Sequence, residues 1–134
     1  MVFANITSKG NRIVVQFNGI PKNDDDIYSY LRTLDNIYKK ERKFLILYDA
    51  RNVGMVSLKL LRKQATYMKD REELTKKYMV RAAIIVSHAI KPVMHFLFTL
   101  KKPSIPCKIF TDLGAGQSFL RESKLPTSNC NFLH

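Results

Sequence analysis

Three short apolar runs, each bounded by polar turn residues, constrain the fold of this chain more than any other feature. The runs cover residues 44–48, 81–87 and 107–110. All three are short, and the run at 44–48 is continuously apolar, as is typical of a strand that is buried on both faces. Helical patterns separate the runs, so strand and helix alternate along the chain. This alternation predicts an α/β fold in which right-handed helical crossovers join parallel strands.

The N-terminal region predicts two further strands. Residues 2–8 and 11–18 are β-prone runs, and Lys9-Gly10 between them is a hairpin signal. The complete element order is ββαβαβαβα. We therefore expect a single three-layer domain, with a mixed, mostly parallel sheet, an antiparallel hairpin at one edge and helices on both faces.

Four helices are expected between and after the strands. The first follows the acids Asp24–Asp26, which suit a helix N-terminus, and repeats apolar residues at spacings of three and four up to Tyr38. The second is capped by Ser57 and extends to Lys76-Lys77, and the third covers 90–100. The fourth begins after Thr111-Asp112. The domain is expected to span 1–122, with 123–134 as a C-terminal tail.

The charge of the chain favours acidic partners. Lys and Arg number 23 against 11 Asp and Glu, which gives a net charge of +12. Such a balance suits an acidic protein surface or an anionic lipid, although a solvated basic surface without a cognate partner is an equally good interpretation. Nucleic acid is an unlikely partner, because aromatic residues are not interleaved with the basic ones.

The sequence also predicts where the protein acts. We find neither a signal peptide pattern nor an apolar stretch long enough to cross a membrane. The cysteines Cys107 and Cys130 lack metal-ligand spacing, and a disulfide framework is improbable. These features together predict a soluble cytoplasmic domain without a structural metal.

Candidate polar sites occur where predicted strands end. Asp49 and Asp112 each follow a parallel strand, at the carboxyl edge where α/β sheets place ligands, and both are equally suited to cap the next turn. His88 and His95 are seven residues apart, but no third metal ligand is near them in sequence. No nucleophile motif or phosphate-binding loop is present. The sequence therefore predicts no enzyme activity, no metal and no cofactor.

The third predicted helix is the most informative segment for function. Residues 93–100 are apolar nearly all the way round, whereas an ordinary surface helix has one polar face. Three interpretations remain open: the helix forms a homodimer interface, it covers an apolar ligand cavity, or it is deeply buried. The homodimer is favoured, because Phe and Met are frequent in such interfaces. The candidate interface or ligand-facing residues are Met94, Phe96, Leu97 and Phe98.

The residues described above resemble the SpoIIAA-like branch of the STAS-like superfamily. The resemblance covers about residues 2–122 and rests on element order and hydrophobic pattern. It is carried by the strand and turn at 44–53, the strand at 81–87, the helix with Phe96 and Phe98, the segment 102–112, and the final helix ending in Phe119-Leu120.

The resemblance implies a small cytoplasmic domain with a fold used in protein–protein switching and, in CRAL-TRIO relatives, in lipid carriage. It places Ser57 where anti-sigma factor antagonists have a phosphorylated serine that caps a helix. Val56 replaces the acid that usually precedes this serine, and Leu58 and Lys59 replace the small residues that follow it. The expected function is therefore a non-enzymatic interaction or regulatory domain, with a carrier of an apolar or anionic lipid-like ligand as the alternative and an enzyme less expected.

Overall fold

A five-stranded sheet forms the centre of the structure. The structure is a computed structural model that describes residues 3–19, 21–53, 58–100 and 102–122. At 58–61 it describes the backbone only. Its strands are β1 (Ala4–Lys9), β2 (Arg12–Phe17), β3 (Phe44–Asp49), β4 (Met79–Ile85) and β5 (Cys107–Phe110). They lie in the sheet in chain order. β1 is antiparallel to β2, and all other neighbours are parallel. The predicted mixed, mostly parallel sheet with an edge hairpin is confirmed.

Five helices are present in the described part of the chain: α1 (Asp24–Tyr38), α2 (Leu58–Asp70), α3 (Glu72–Tyr78), α4 (Lys91–Leu100) and α5 (Leu113–Arg121). The single helix predicted up to Lys76-Lys77 was wrong, because the chain breaks at Arg71 into α2 and α3. The backbone of Arg71 leaves helical geometry, with φ −114° and ψ 24°. Its guanidinium binds the Asp35 carboxylate on α1 through Nε and Nη2.

The helices cover the two faces of the sheet unequally. One face packs against α1, α2 and α3 through a core that includes Val15, Ile46 and Tyr67. The same face continues under α4, which contacts β5. Because successive right-handed crossovers move in one direction across the sheet, they leave their helices on the same side. Among the described helices, α5 alone packs on the other face, against Leu45, Leu47 and their neighbours. The predicted three layers are confirmed.

Helix α5 lies very close to the sheet. Gly116 of α5 is buried, and a Cβ atom built on it would lie 2.3 Å from Cδ1 of Ile85. A larger residue would force either the Ile85 side chain or α5 to shift, so the close approach of the two elements favours glycine here. α5 therefore covers β3, β4 and β5 in close contact.

Candidate functional site

An exposed apolar stripe on α4 is the most prominent surface feature of the described structure. Val93, Phe96 and Leu100 keep 44%, 61% and 68% of their surface exposed. They are spaced three and four residues apart, so they lie on one side of the helix. We call these three residues the α4 stripe.

The opposite side of α4 holds the helix on the sheet. Met94 and Phe98 are partly buried and pack against the cluster of Val86, Ile90 and Ile109. The helix begins with backbone hydrogen bonds of 3.1 Å from Ile90 and Lys91 to the carbonyl oxygen of Ser87. Ile90, Met94 and Phe98 are four residues apart, which is the spacing of one helix face. The packing of α4 on the sheet therefore uses none of the residues of the α4 stripe.

These positions exclude one of the three interpretations that the sequence left open. None of the ten residues of α4, all of which are described, is buried. Deep burial of this helix was therefore a wrong interpretation, and an outward apolar surface is present. Of the four candidates, Phe96 points to solvent, Met94 and Phe98 contact the core, and Leu97 is half-buried. The sequence did not identify Val93 and Leu100 as exposed. Their spacing of three and four residues from Phe96 would have indicated that they share its side of the helix, but only once the side that faces the core was known.

At the carboxyl edge of the sheet, Asp49 is held by a residue that the sequence analysis did not identify. Arg51 donates from Nε to Oδ1 of Asp49 at 2.9 Å and from Nη2 to Oδ2 at 2.8 Å. Asp49 is buried, whereas 44% of the Arg51 side chain is exposed. The alternation along β3 places Asp49 on the same sheet face as α5. The ion pair therefore fixes the turn that follows β3.

The electrostatics of Asp49 favour a structural role. Its hydrogen bonds with Arg51 lower the pKa of the carboxyl below its usual range, although burial acts in the opposite direction. The pKa of Arg51 is raised by the same hydrogen bond. A general base works best with a pKa near the operating pH, and both oxygens of Asp49 already accept hydrogen bonds. Asp49 thus acts as a fixed anion that positions Arg51.

Asp112 is a helix cap in this structure. Its Oδ2 accepts a hydrogen bond of 2.8 Å from the backbone N–H of Ala115, at the N-terminus of α5. Its negative charge also acts on Arg51. Asp49, Arg51 and Asp112 therefore share the carboxyl edge, as the end positions of parallel strands predict, and Arg51 supplies the exposed cation there.

The remaining sequence candidates give no catalytic or metal site within the described chain. Ser57 lies outside the described residues, so its role as a helix cap or phosphate acceptor stays a prediction. His88 and His95 are both exposed. Among the described residues, no group of three or more His, Cys, Asp or Glu side chains could hold a metal ion. No helix in those residues is long and apolar enough to cross a membrane.

Comparison with known proteins gives structural relatives only. No family model matches the chain, and no curated protein matches it. Two solved structures are similar across most of both chains. One is an uncharacterised protein of the DUF3478 family with a SpoIIAA-like fold from Shewanella loihica PV-4, with a TM-score of 0.63 and 14% identity, covering 87% of this chain and 91% of that one.

The other is an anti-sigma factor antagonist from Mycobacterium paratuberculosis, with a TM-score of 0.60 and 13% identity, covering 88% of this chain and 92% of that one. Identities this low show a shared fold and leave function to be argued from the site itself. The predicted resemblance is confirmed at the level of architecture: this chain has a SpoIIAA-like fold.

Proposed function

We propose that this chain is a non-enzymatic protein-interaction domain of the cytoplasm, with the α4 stripe as its binding surface. The observation that carries the proposal is the exposure of Phe96 and Leu100 on a helix whose other face already packs on the core. Burial of these two side chains in an interface would contribute roughly 1–2 kcal/mol each. Exposed apolar side chains that share one helix face are typical of a binding surface.

The polar residues at the carboxyl edge support a binding role over an enzymatic one. Asp49 is paired with Arg51, and Asp112 caps α5, so neither carboxylate is held ready for proton transfer. An acid or base catalyst needs a titratable group in hydrogen-bond reach of a reacting atom and with a suitable pKa. The name of one structural relative, an anti-sigma factor antagonist, describes regulation of another protein, which is the same class of role.

Cross-linking of lysines tests the proposed surface. Purified protein is incubated in cell extract with an amine-reactive cross-linker, and the linked positions are mapped by mass spectrometry. Cross-links to a partner are expected at Lys91, which begins α4, and at Lys102, which follows it, rather than at Lys69 on α2. The same experiment on Phe96→Asp should lose these links.

A matched control uses another exposed apolar residue. Leu74 on α3 is 39% exposed, and Leu74→Asp introduces the same charge away from α4. This variant should keep the cross-links of the unaltered protein. Links that persist in Phe96→Asp, or that map to α1 and α2, would remove the stripe as the binding surface.

Native mass spectrometry separates this proposal from its alternatives. A monomer that gains mass only with a protein partner supports an interaction domain. A homodimer that dissociates in Phe96→Asp identifies a second copy as the occupant of the stripe. A monomer that carries lipid-sized mass would replace the proposal with a carrier function, which requires a cavity of several hundred Å³.

A further inference from the structure

We infer that the partner of the α4 stripe is an acidic amphipathic helix of another protein. This inference rests on the proposed function, since it names the chemistry that the same surface would bind. It starts from the distribution of charge around α4, which the net charge of the chain does not reveal.

The segment that contains α4 has no acidic residue. Residues 74–111 include no Asp or Glu, although the chain has 11 of them. The same segment has seven cations, so it supplies +7 of the net +12. They are Lys76, Lys77, Arg81, Lys91, Lys101, Lys102 and Lys108. Of these cations, Lys91, Lys101 and Lys102 adjoin α4 in sequence, whereas Arg81 and Lys108 lie against Phe119 of α5 and Lys76 pairs with Glu72. Cations beside an apolar stripe attract partners of the opposite sign.

Cations lie at both ends of the stripe. Lys91 is the first residue of α4, and exposed Lys102 follows its last residue, Leu100. The stripe between them is narrow and, over the eight residues from Val93 to Leu100, about 10 Å long. These dimensions suit the apolar seam of a second helix, whose side chains also repeat at three and four. Carboxylates beside the apolar seam of the partner helix would pair with Lys91 and Lys102.

The position of α4 leaves its outward side accessible to a helix. α4 packs against β5, which forms one edge of the sheet. Within the described ranges, no other helix makes a substantial contact with α4. A partner helix can therefore lie along the stripe without displacing part of the fold.

Charge disfavours a second copy of this chain. In an antiparallel pair of α4 helices, Lys91 of each copy would approach the Lys102 end of the other, and in a parallel pair like residues would meet. Neither arrangement offers a carboxylate from 74–111. Like charges that face each other across an interface oppose association. The segment 123–134 of the same chain is no better complement, because it contains one Lys and no acid.

The polar positions of α4 disfavour a membrane surface. A helix that lies in a membrane interface has Lys or Arg along its polar face, beside the apolar one. On α4 the positions one and two turns after Lys91 are His95 and Thr99, and Lys91 and Lys102 stand at the two ends of the helix. Cations at the two ends of α4 match a protein helix that has acidic residues at two separate points. They match the continuous anionic surface of a membrane less well.

A display library of helical peptides tests the inference. The peptides are about 14 residues long, or roughly four turns, with leucines fixed at spacings of three and four and all flanking positions randomised. Selection uses the full chain as target, and parallel selections use Phe96→Asp and Leu74→Asp. Enrichment of Asp and Glu in the flanks is expected with the unaltered chain and with Leu74→Asp, but not with Phe96→Asp.

Charge reversal then locates the ion pairs. Lys91→Glu and Lys102→Glu should each weaken an enriched peptide by roughly fivefold at low salt, because one ion pair becomes a repulsion. Lys69→Glu on α2 is the matched control and should change the affinity less. High salt should reduce the difference between these variants.

The alternatives give different results. Enriched flanks that are basic or neutral, or the absence of any enrichment, would overturn the acidic partner. If those peptides still depend on Phe96, the proposed function survives; if they bind Phe96→Asp equally well, the stripe is not the binding surface. Phe96-dependent sedimentation with phosphatidylcholine vesicles that contain about one third phosphatidylserine would assign the stripe to a membrane instead. A dimer lost in Phe96→Asp would assign it to a second copy.

Discussion

Phe96 and Phe98 stand two residues apart on α4 and point in opposite directions. Phe98 packs with Met94 against the cluster of Val86, Ile90 and Ile109, whereas Phe96 keeps 61% of its surface exposed. Two successive residues turn through roughly 200° around a helix, so both orientations follow from helix geometry. One aromatic ring therefore contributes to stability, and the other is available for binding.

This difference predicts unequal effects on stability. Phe98→Ala should lower the free energy of unfolding by about 1–3 kcal/mol, because it removes partly buried contacts with the core. Phe96→Ala should change it by less than about 0.5 kcal/mol, as surface substitutions usually do. Urea denaturation followed by circular dichroism measures both. Equal losses, or a larger loss for Phe96→Ala, would contradict the orientation of α4.

The ion pair of Asp49 and Arg51 predicts a loss of stability in acid. The pKa of Asp49 is lowered in the folded state, so its ionised form stabilises the fold above the unfolded pKa of about 3.9. That contribution is lost as the pH falls through the lower, folded pKa. Denaturation from pH 6 to about pH 3 should therefore show stability declining with acid.

Asp49→Asn provides the comparison for this pH dependence. The variant should be less stable than the unaltered chain near neutral pH by about 1–3 kcal/mol, since a buried acceptor of Arg51 is lost. Its stability should then change less with acid. Asp112→Asn, which keeps an oxygen that can cap α5, is a suitable control at the same edge. An unaltered acid dependence in Asp49→Asn would assign it to other carboxyls.

The contact between Gly116 and Ile85 predicts a rescue by double substitution. Gly116→Ala should destabilise the fold by about 1–3 kcal/mol, because the new Cβ would overlap Cδ1 of Ile85. Ile85→Val removes that methyl group. In the Ile85→Val background the same glycine substitution should therefore cost less, and a double-mutant cycle by chemical denaturation measures the difference. Additive losses would show that α5 is not packed against Ile85.

The thiol of Cys107 predicts slow chemical modification. Burial raises its pKa to about 12, so little thiolate forms at ordinary pH. In a Cys130→Ser background, a disulfide exchange reagent at about pH 8 should modify Cys107 slowly in the folded chain and rapidly in denaturant. Fast modification of the folded chain would contradict the packing of β5 against the core.

The sequence was sufficient to predict the strands of the sheet, their mostly parallel direction and the antiparallel hairpin at one edge. The apolar run at 44–48 and the β-branched residues of 12–15 mark buried strands with little ambiguity. It was not sufficient to predict the break at Arg71, since helix-forming residues continue through it. That break coincides with a long-range ion pair to Asp35, and local propensity contains no information about a partner 36 residues away.

The chain by itself therefore determined the architecture and the presence of an unusually apolar helix at 93–100. Tertiary structure decided which of its residues face solvent, because a helix that is apolar on every side has no periodicity from which the buried face can be deduced. It also decided that Asp49 is an ion-pair partner, since the capture of its two oxygens by Arg51 depends on the turn that follows β3. Local patterns specify elements, and only packing specifies which surfaces remain uncovered.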